Sequence, residues 1–175
     1  MVKQLLLATG AYLLLPACKE NKDRSTVELK TLKIDGDQEA LVAELAETIL
    51  PKTTTPGAKD LHAPLYILLM LDDCAKEEDQ KKFVRGLKDF TRAAKDKLGK
   101  DFMDASLEER TRFVTAEDQK KDDSDQHLFY ATVKRYTVQA YTTSQFFLTN
   151  VQKYELVPGR YHGCIPLKPA STTTL

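Results

Sequence analysis

The chain has 175 residues, 26 basic against 26 acidic, with hydrophobic residues at 42%. Balanced charge excludes the broad basic field that draws a protein onto nucleic acid. The apolar content excludes a disordered polyelectrolyte, and the length suits one domain with a core of its own. Trp is absent, and seven Gly and seven Pro are too few for a loop-dominated fold.

The first residues read as an address. Lys3 gives a basic start, and Leu5 to Leu15 follow without a charge. That run is too short to span a bilayer, which takes about 20 apolar residues, and it ends in small residues as a cleavable secretory signal does. Leu15-Pro16-Ala17-Cys18 resembles the lipobox of bacterial lipoproteins, with Leu three before the Cys and a small residue directly before it. The resemblance implies a diacylglyceryl group on the Cys18 thiol; an ordinary signal with an incidental Cys is the alternative. The expected division is 1–17 as signal peptide, 18–36 as lipidated tether and lead-in, 37–167 as a helical domain with a C-terminal arm, and 168–175 as tail. The expected location is the periplasmic face of a bacterial membrane, held by the lipid. Lys19 stands where an Asp would favour inner-membrane retention, which favours the outer membrane.

Val27, Leu29 and Leu32 suggest a short strand or an extended lead-in, and Asp35-Gly36 marks a turn. Leu41, Val42, Leu45, Ala46, Ile49 and Leu50 then form one helical stripe, with Asp37 placed to cap its start and Pro51 to end it. After a Thr/Pro/Gly loop, Pro64 opens a second helix. It is apolar nearly all round from Leu65 to Leu71, which predicts a central position, and Asp72-Asp73 closes its apolar part. A third helix runs from about Glu77 to Leu98 with Phe83, Val84, Leu87, Phe90 and Ala94 on one face and Gly99 as its stop. Ser106 and Glu109 form a capping-box pattern for a short fourth helix. Lys120 to Asp125 is a charged break. A fifth helix covers His127 to Tyr141, and a sixth short one 144–152. From Tyr154 onward, Pro158, Gly159, Gly163, Pro166 and Pro169 predict an irregular arm. The fold class is therefore all-α: one compact domain of five or six helices with that arm.

No constellation of catalytic residues stands out. The glycines never fall as Gly-x-Gly, so no dinucleotide loop forms, and there is no phosphate-binding loop, no His-Glu-x-x-His and no Gly-x-Ser-x-Gly. His62, His127 and His162 are scattered; His162 with Cys164 is a weak start for a metal site. Asp72-Asp73 could be an acid/base pair, but neighbours on a helix do not face each other, and a solvated helix end explains them more simply. No catalytic, cofactor-binding or metal residue is expected in this chain. Phe129, Tyr130, Tyr136, Tyr141, Phe146 and Phe147 crowd one region and read mostly as core. With Cys18 lipidated, Cys74 and Cys164 are an even pair in an oxidising compartment. A bond between them closes a loop of about 90 residues, worth roughly 4 kcal/mol in the chain-entropy model. A free pair, or a bridge from Cys164 to a partner, is the alternative.

Two stretches carry a family resemblance. One is Ile49-Leu50-Pro51-Lys52-Thr53-Thr54-Thr55-Pro56-Gly57-Ala58. The other is Tyr141-Thr142-Thr143-Ser144, continued in the arm from Tyr154 to Leu167. Both are similar to the small third subunit of gluconate 2-dehydrogenase and its relatives, as are Asp79-Gln80 before Phe83 and Gly86-Leu87 after it. The family loop often carries Asp where Thr54 stands here. The resemblance implies a non-catalytic accessory subunit. A large flavoprotein of the GMC type, carrying FAD, would oxidise gluconate, glucose or a glycoside, and a cytochrome c or another acceptor would take the electrons. The small subunit would support export, assembly or stability of the large one. Tyr154, Pro158, Gly159, Tyr161, Ile165 and Leu167 are then the expected partner interface, or a strap over the domain's own core. The competing readings are a free-standing periplasmic lipoprotein with an active site of its own, and a structural lipoprotein.

Overall fold

The computed structural model describes residues 25, 27–120, 122–152, 154, 155, 157 and 159. Among them the regular structure is helical throughout. The order is α1 (Gly36–Ile49), α2 (Ala63–Cys74), α3 (Glu77–Leu98), a 3₁₀ turn (Phe102–Asp104), α4 (Leu107–Asp118), α5 (Asp125–Thr142) and a π-helical turn (Phe147–Val151). The all-α expectation holds. The N-terminal and C-terminal divisions drawn from sequence fall largely outside the described residues.

Helices α1, α4 and α5 start where a side chain accepts their backbone donors. Asp35, not Asp37, caps α1: its carboxylate accepts the Gln38 N–H at 2.8 Å, and the Gln38 side chain answers on the Asp35 N–H. Asp37 instead lies in the first turn, where its charge meets the positive end of the helix dipole. Ser106 and Glu109 form the capping box of α4 as the sequence predicts. Ser124 caps α5, and Gly99 ends α3 at φ 70°. Residues 27–35 are an irregular lead-in with bends at Val27, Lys30 and Thr31 and no strand, and Leu32 from it is buried in the core.

The core forms around α5, which packs against α1, α2, α3 and α4. This corrects the expectation for α2. Its Ile67, Leu68 and Leu71 are buried, but Leu65 and Leu69 are 40% and 39% exposed, because its main neighbours are only α1 and α5. An apolar outer face on a helix does not by itself place that helix at the centre. The centre is a set of phenylalanines: Phe90 meets Phe102 at 5.5 Å, Phe113 at 5.2 Å and Phe129 at 5.3 Å between ring centroids. Edge-on and tilted packing of this kind adds to the free energy of burial. Of the aromatic cluster noted in sequence, Phe129 and Tyr130 are buried, while Tyr136, Tyr141, Phe146 and Phe147 are half-exposed.

At the α4–α5 junction a fully buried Glu117 accepts from Lys120 Nζ and Gln126 Nε2, both at 2.7 Å. Tyr130 donates to Asp118 at 3.1 Å; its burial, and then that carboxylate, push the phenol well above its usual range.

Helices α3 and α5 approach closely at Gly86. A Cβ there would stand 1.9 Å from the Asp125 carbonyl oxygen and 2.8 Å from Phe129 Cβ. The obstruction is backbone and cannot rotate aside. Gly86→Ala is expected to separate the two helices and destabilise the domain by about 1–3 kcal/mol, the usual range for overpacking. The shift in urea midpoint measures it, and an unchanged midpoint would show that α5 accommodates the methyl group.

Candidate functional site

The acid/base candidate from sequence is a structural clamp. Asp72 lies in the last turn of α2 and is 7% exposed, so it is not a solvated helix end. Its carboxylate accepts three backbone N–H groups of the lead-in: Lys30 at 2.8 Å, Thr31 at 2.8 Å and Leu32 at 2.7 Å. The Thr31 hydroxyl adds a fourth bond at 2.9 Å. Burial opposes ionisation, but these donors outweigh it and hold the Asp72 carboxyl far below its usual range. Gln80 Nε2 completes the clamp by donating to the Leu71 carbonyl at 2.9 Å and to Thr31 Oγ1 at 3.0 Å. Asp73 points away and pairs with the exposed Lys30 ammonium at 2.9 Å. The two carboxylates therefore have separate partners and do not form a catalytic dyad. The signal in the sequence was a negative charge at a helix C-terminus, an unfavourable place that needs a compensating donor set.

The first family-like stretch is a tightly folded loop. Ala58 N–H donates to the Leu50 carbonyl at 2.9 Å, and Gly57 N–H to Asp60 Oδ2 at 3.2 Å. Glu47 spans the loop, accepting Lys52 N–H at 3.1 Å and Lys59 N–H at 2.8 Å. The chain passes so near Glu47 that a Cβ on Gly57 would lie 2.5 Å from its Oε1 and 2.7 Å from Lys52 N. Thr54, at the position where the family loop often has Asp, is exposed at the tip. Glu44 ties the loop to α4 through Lys59 at 2.5 Å and through Arg110. Burial opposes that charge, but hydrogen bonds from both cations hold the carboxyl below its ordinary value.

The loop delivers His62 to the start of α2 in a left-handed conformation, φ 54°. Such a conformation is uncommon outside glycine, and His tolerates it better than bulky or branched residues do. The second family-like stretch faces it. Ser144 Oγ donates to the Tyr141 carbonyl at 2.7 Å and accepts Phe147 N–H at 3.2 Å, which turns the chain from α5 into the π-helical turn. Tyr141 packs on Phe147 at 5.4 Å and on Phe146 at 6.4 Å. His62 and Tyr66 on one side, with Thr143, Ser144, Phe146 and Asn150 on the other, enclose an open groove of about 500 Å³. The segment that follows the first stretch thus meets the second stretch on one face. π-Helical turns recur at functional sites.

The expected interface begins here. Tyr154 is 58% exposed, its N–H held by the Leu148 carbonyl at 3.2 Å, and Gly159 is also exposed. Pro158, Tyr161, Ile165, Leu167, Cys164, His162 and the lipidation candidate Cys18 lie outside the described residues. Cys74 is exposed at the end of α2. His62 and His127 sit on different elements, and among the described residues no three of His, Cys, Asp and Glu are grouped to hold a metal ion. None of the described helices is long and apolar enough to cross a membrane.

The family model for gluconate 2-dehydrogenase subunit 3 matches residues 36–159. The chain belongs to that family. The match opens on the first residue of α1 and takes in α1 to α5, the π-helical turn and the start of the arm. The loop and the Tyr141–Ser144 corner both lie within the match, whereas the lead-in clamped by Asp72 precedes it. No curated protein and no solved structure matches the chain.

The clamp can be tested directly. Asp72→Asn keeps the shape but places an NH₂ group against backbone donors, and should cost about 1.5–3 kcal/mol, the scale of a charge-assisted hydrogen bond. Because the folded carboxyl is depressed, the wild-type advantage should be full above the ordinary Asp value of about 4 and shrink as pH falls below it. Denaturant midpoints of both proteins across acidic pH measure this. An equal gap at pH 7 and in strong acid would show that the charge is not what holds the lead-in.

Proposed function

We propose that this chain is the non-catalytic accessory subunit of a membrane-associated, flavin-dependent sugar dehydrogenase. In this reading it binds a large flavoprotein of the GMC type, which carries the FAD and oxidises gluconate, glucose or a related sugar, and it supports that partner's export, assembly or stability. A cytochrome c or another acceptor would take the electrons. The observation that carries the reading is family membership across α1 to α5. The surface supports it in kind. Leu65 and Leu69 are four residues apart on the outer face of α2, and Val138, Val151, Tyr154 and Val157 are also exposed. Apolar and aromatic groups left in solvent are what a protein interface uses for its core. The arm residues Pro158, Gly159, Tyr161, Ile165 and Leu167 extend that surface in the proposal. A lipid on Cys18 would place the complex at the periplasmic face of a bacterial membrane.

A tagged subunit drawn from its native membrane should bring a flavoprotein with it, and the isolated subunit should oxidise no sugar with an artificial electron acceptor. Changing Leu65→Asp and Leu69→Asp together should leave the helical circular dichroism unchanged and cut the co-purified flavoprotein at least tenfold, a loss of about 1.4 kcal/mol of binding. A lone subunit in the pull-down, or sugar turnover by it, would defeat the accessory reading. For the anchor, Cys18→Ser should move the protein from the detergent phase to the soluble fraction, since two or three acyl chains anchor stably. A variant that still partitions into detergent, with no labelled palmitate on the wild type, would refute lipidation.

A further inference from the structure

We propose that an apolar groove between the start of α1, the middle of α3 and the 3₁₀ turn docks a segment of the large partner in which apolar side chains stand beside Lys or Arg. The groove measures about 640 Å³. Leu41 of α1, Leu87 of α3 and Phe102 of the turn line it and are themselves buried, so its floor is continuous with the core. Met103 also lines it and is 45% exposed, and Leu107, four residues on, is 51% exposed. Large apolar side chains left in solvent beside an apolar floor suit a contact with another protein. Met fits such a place because its unbranched thioether adapts to the shape of what it meets.

The charges around the groove decide what kind of segment fits. Asp35, Asp37, Asp101 and Asp104 line it against a single cation, Lys88. The chain as a whole has as many basic as acidic residues, so this excess is local. Asp35 is engaged in capping α1, and Asp101 pairs with Lys95 at 3.1 Å. Asp37 and Asp104 are exposed and make no ion pair among the described residues. Elsewhere carboxylates between helices are matched: Glu44 by Lys59 and Arg110, Glu117 by Lys97 and Lys120, Asp118 by Lys134. An exposed carboxylate–ammonium contact is worth little singly, being solvated and screened. A free amine or a lone metal ion therefore gains too little at these carboxylates to be held. The apolar floor and the two unpaired carboxylates must be used together, and a chain bearing apolar and cationic side chains does so. An acidic segment is repelled, and an uncharged one desolvates the carboxylates without pairing them.

This contact differs in kind from the one assigned to α2. Leu65 and Leu69 stand on a helix with no charged residue between 63 and 71, so association through them is indifferent to salt. Association through the groove weakens as salt screens its carboxylates, the Debye length falling from about 10 Å at 0.1 M to about 3 Å at 1 M. The identity of the partner as the flavoprotein rests on the accessory-subunit reading. The chemistry of the docked segment rests on the groove alone.

The test uses the full mature chain with Cys18→Ser. The probe is a short labelled helical peptide of Leu and Lys with one apolar face, and the control is its counterpart of Leu and Glu. Fluorescence anisotropy should show the Lys peptide binding and the Glu peptide not. Asp37→Asn with Asp104→Asn should keep the helical circular dichroism and weaken the Lys peptide about tenfold at about 0.1 M salt, but less than about twofold at about 1 M. Met103→Ser should weaken it by one factor at both salt concentrations, because it removes apolar contact and no charge. In pull-downs from the native membrane the double Asn variant should bring about tenfold less flavoprotein than the wild type. Equal binding of the two peptides, or an affinity unchanged in the double variant or in Met103→Ser, would overturn the groove as the docking site. If wild type and double variant bring the flavoprotein equally, the inference falls while the accessory reading stands. If neither brings a flavoprotein, the accessory reading falls and takes the named partner with it, and the peptide measurements alone then decide the groove.

Discussion

The contact between α3 and α5 at Gly86 sets the rest of the domain. Because no side chain separates them there, Phe83 and Phe129 come to 4.9 Å, and Phe90 from the next turn reaches Phe129, Phe102 and Phe113 at once. Phe102 and Phe113 bring in the 3₁₀ turn and α4, and the far side of α5 is left to receive α1 and α2. Close packing of this kind transmits displacement, so a shift of α5 at its start would be felt at the Tyr141–Ser144 corner at its end.

That rigidity matters because the loop and the π-helical turn beside the candidate docking face have little regular structure of their own. The Thr/Pro/Gly loop is held by Glu47 and Glu44, two residues of α1, and the π-helical turn by Ser144 at the end of α5. Both are extensions of packed helices, and the groove lies between the π-helical turn and the His62–Tyr66 start of α2. A surface that is already ordered loses less conformational entropy on binding than one that must fold first. An accessory subunit built this way would act as a template for its partner.

Much of this was legible in the sequence because it depends on local chemistry. The spacing of Phe83, Leu87, Phe90 and Ala94 gives the buried face of α3, Gly99 its stop, and Ser106 with Glu109 the start of α4. What escaped depends on residues distant in sequence. Asp35 rather than Asp37 caps α1, and the lead-in before it is held by Asp72, 37 residues beyond Asp35, which gathers the N–H groups of Lys30, Thr31 and Leu32. The exposure of Leu65 and Leu69 could not be read from α2 alone, since it reflects which helices fail to cover that side. The π-helical turn follows from Ser144 bonding both Tyr141 and Phe147, a three-residue coincidence that periodicity does not register. The two family-like stretches were legible as motifs; that the second meets His62 and Tyr66 in one groove was not.

Helix α2 gives the molecule two functional ends. Its C-terminus clamps the lead-in through Asp72, and its N-terminus carries His62 and Tyr66 into the groove. These points are ten residues apart on the helix, from His62 to Asp72, or roughly 15 Å. With Cys18 lipidated as proposed, the twelve residues from Cys18 to the first clamped N–H, that of Lys30, limit the domain to about 40 Å from the bilayer at full extension. Without the clamp, the lead-in up to α1 would add to that reach. Asp72 would then shorten the tether as well as stabilise the fold, confining the docking face to a thin layer above the membrane. Confinement raises the effective concentration of a partner bound to the same surface without adding any contact to it. In the accessory role proposed above, that confinement would raise assembly yield by position, which would give the Asp72 clamp a role although the lead-in lies ahead of the matched family region.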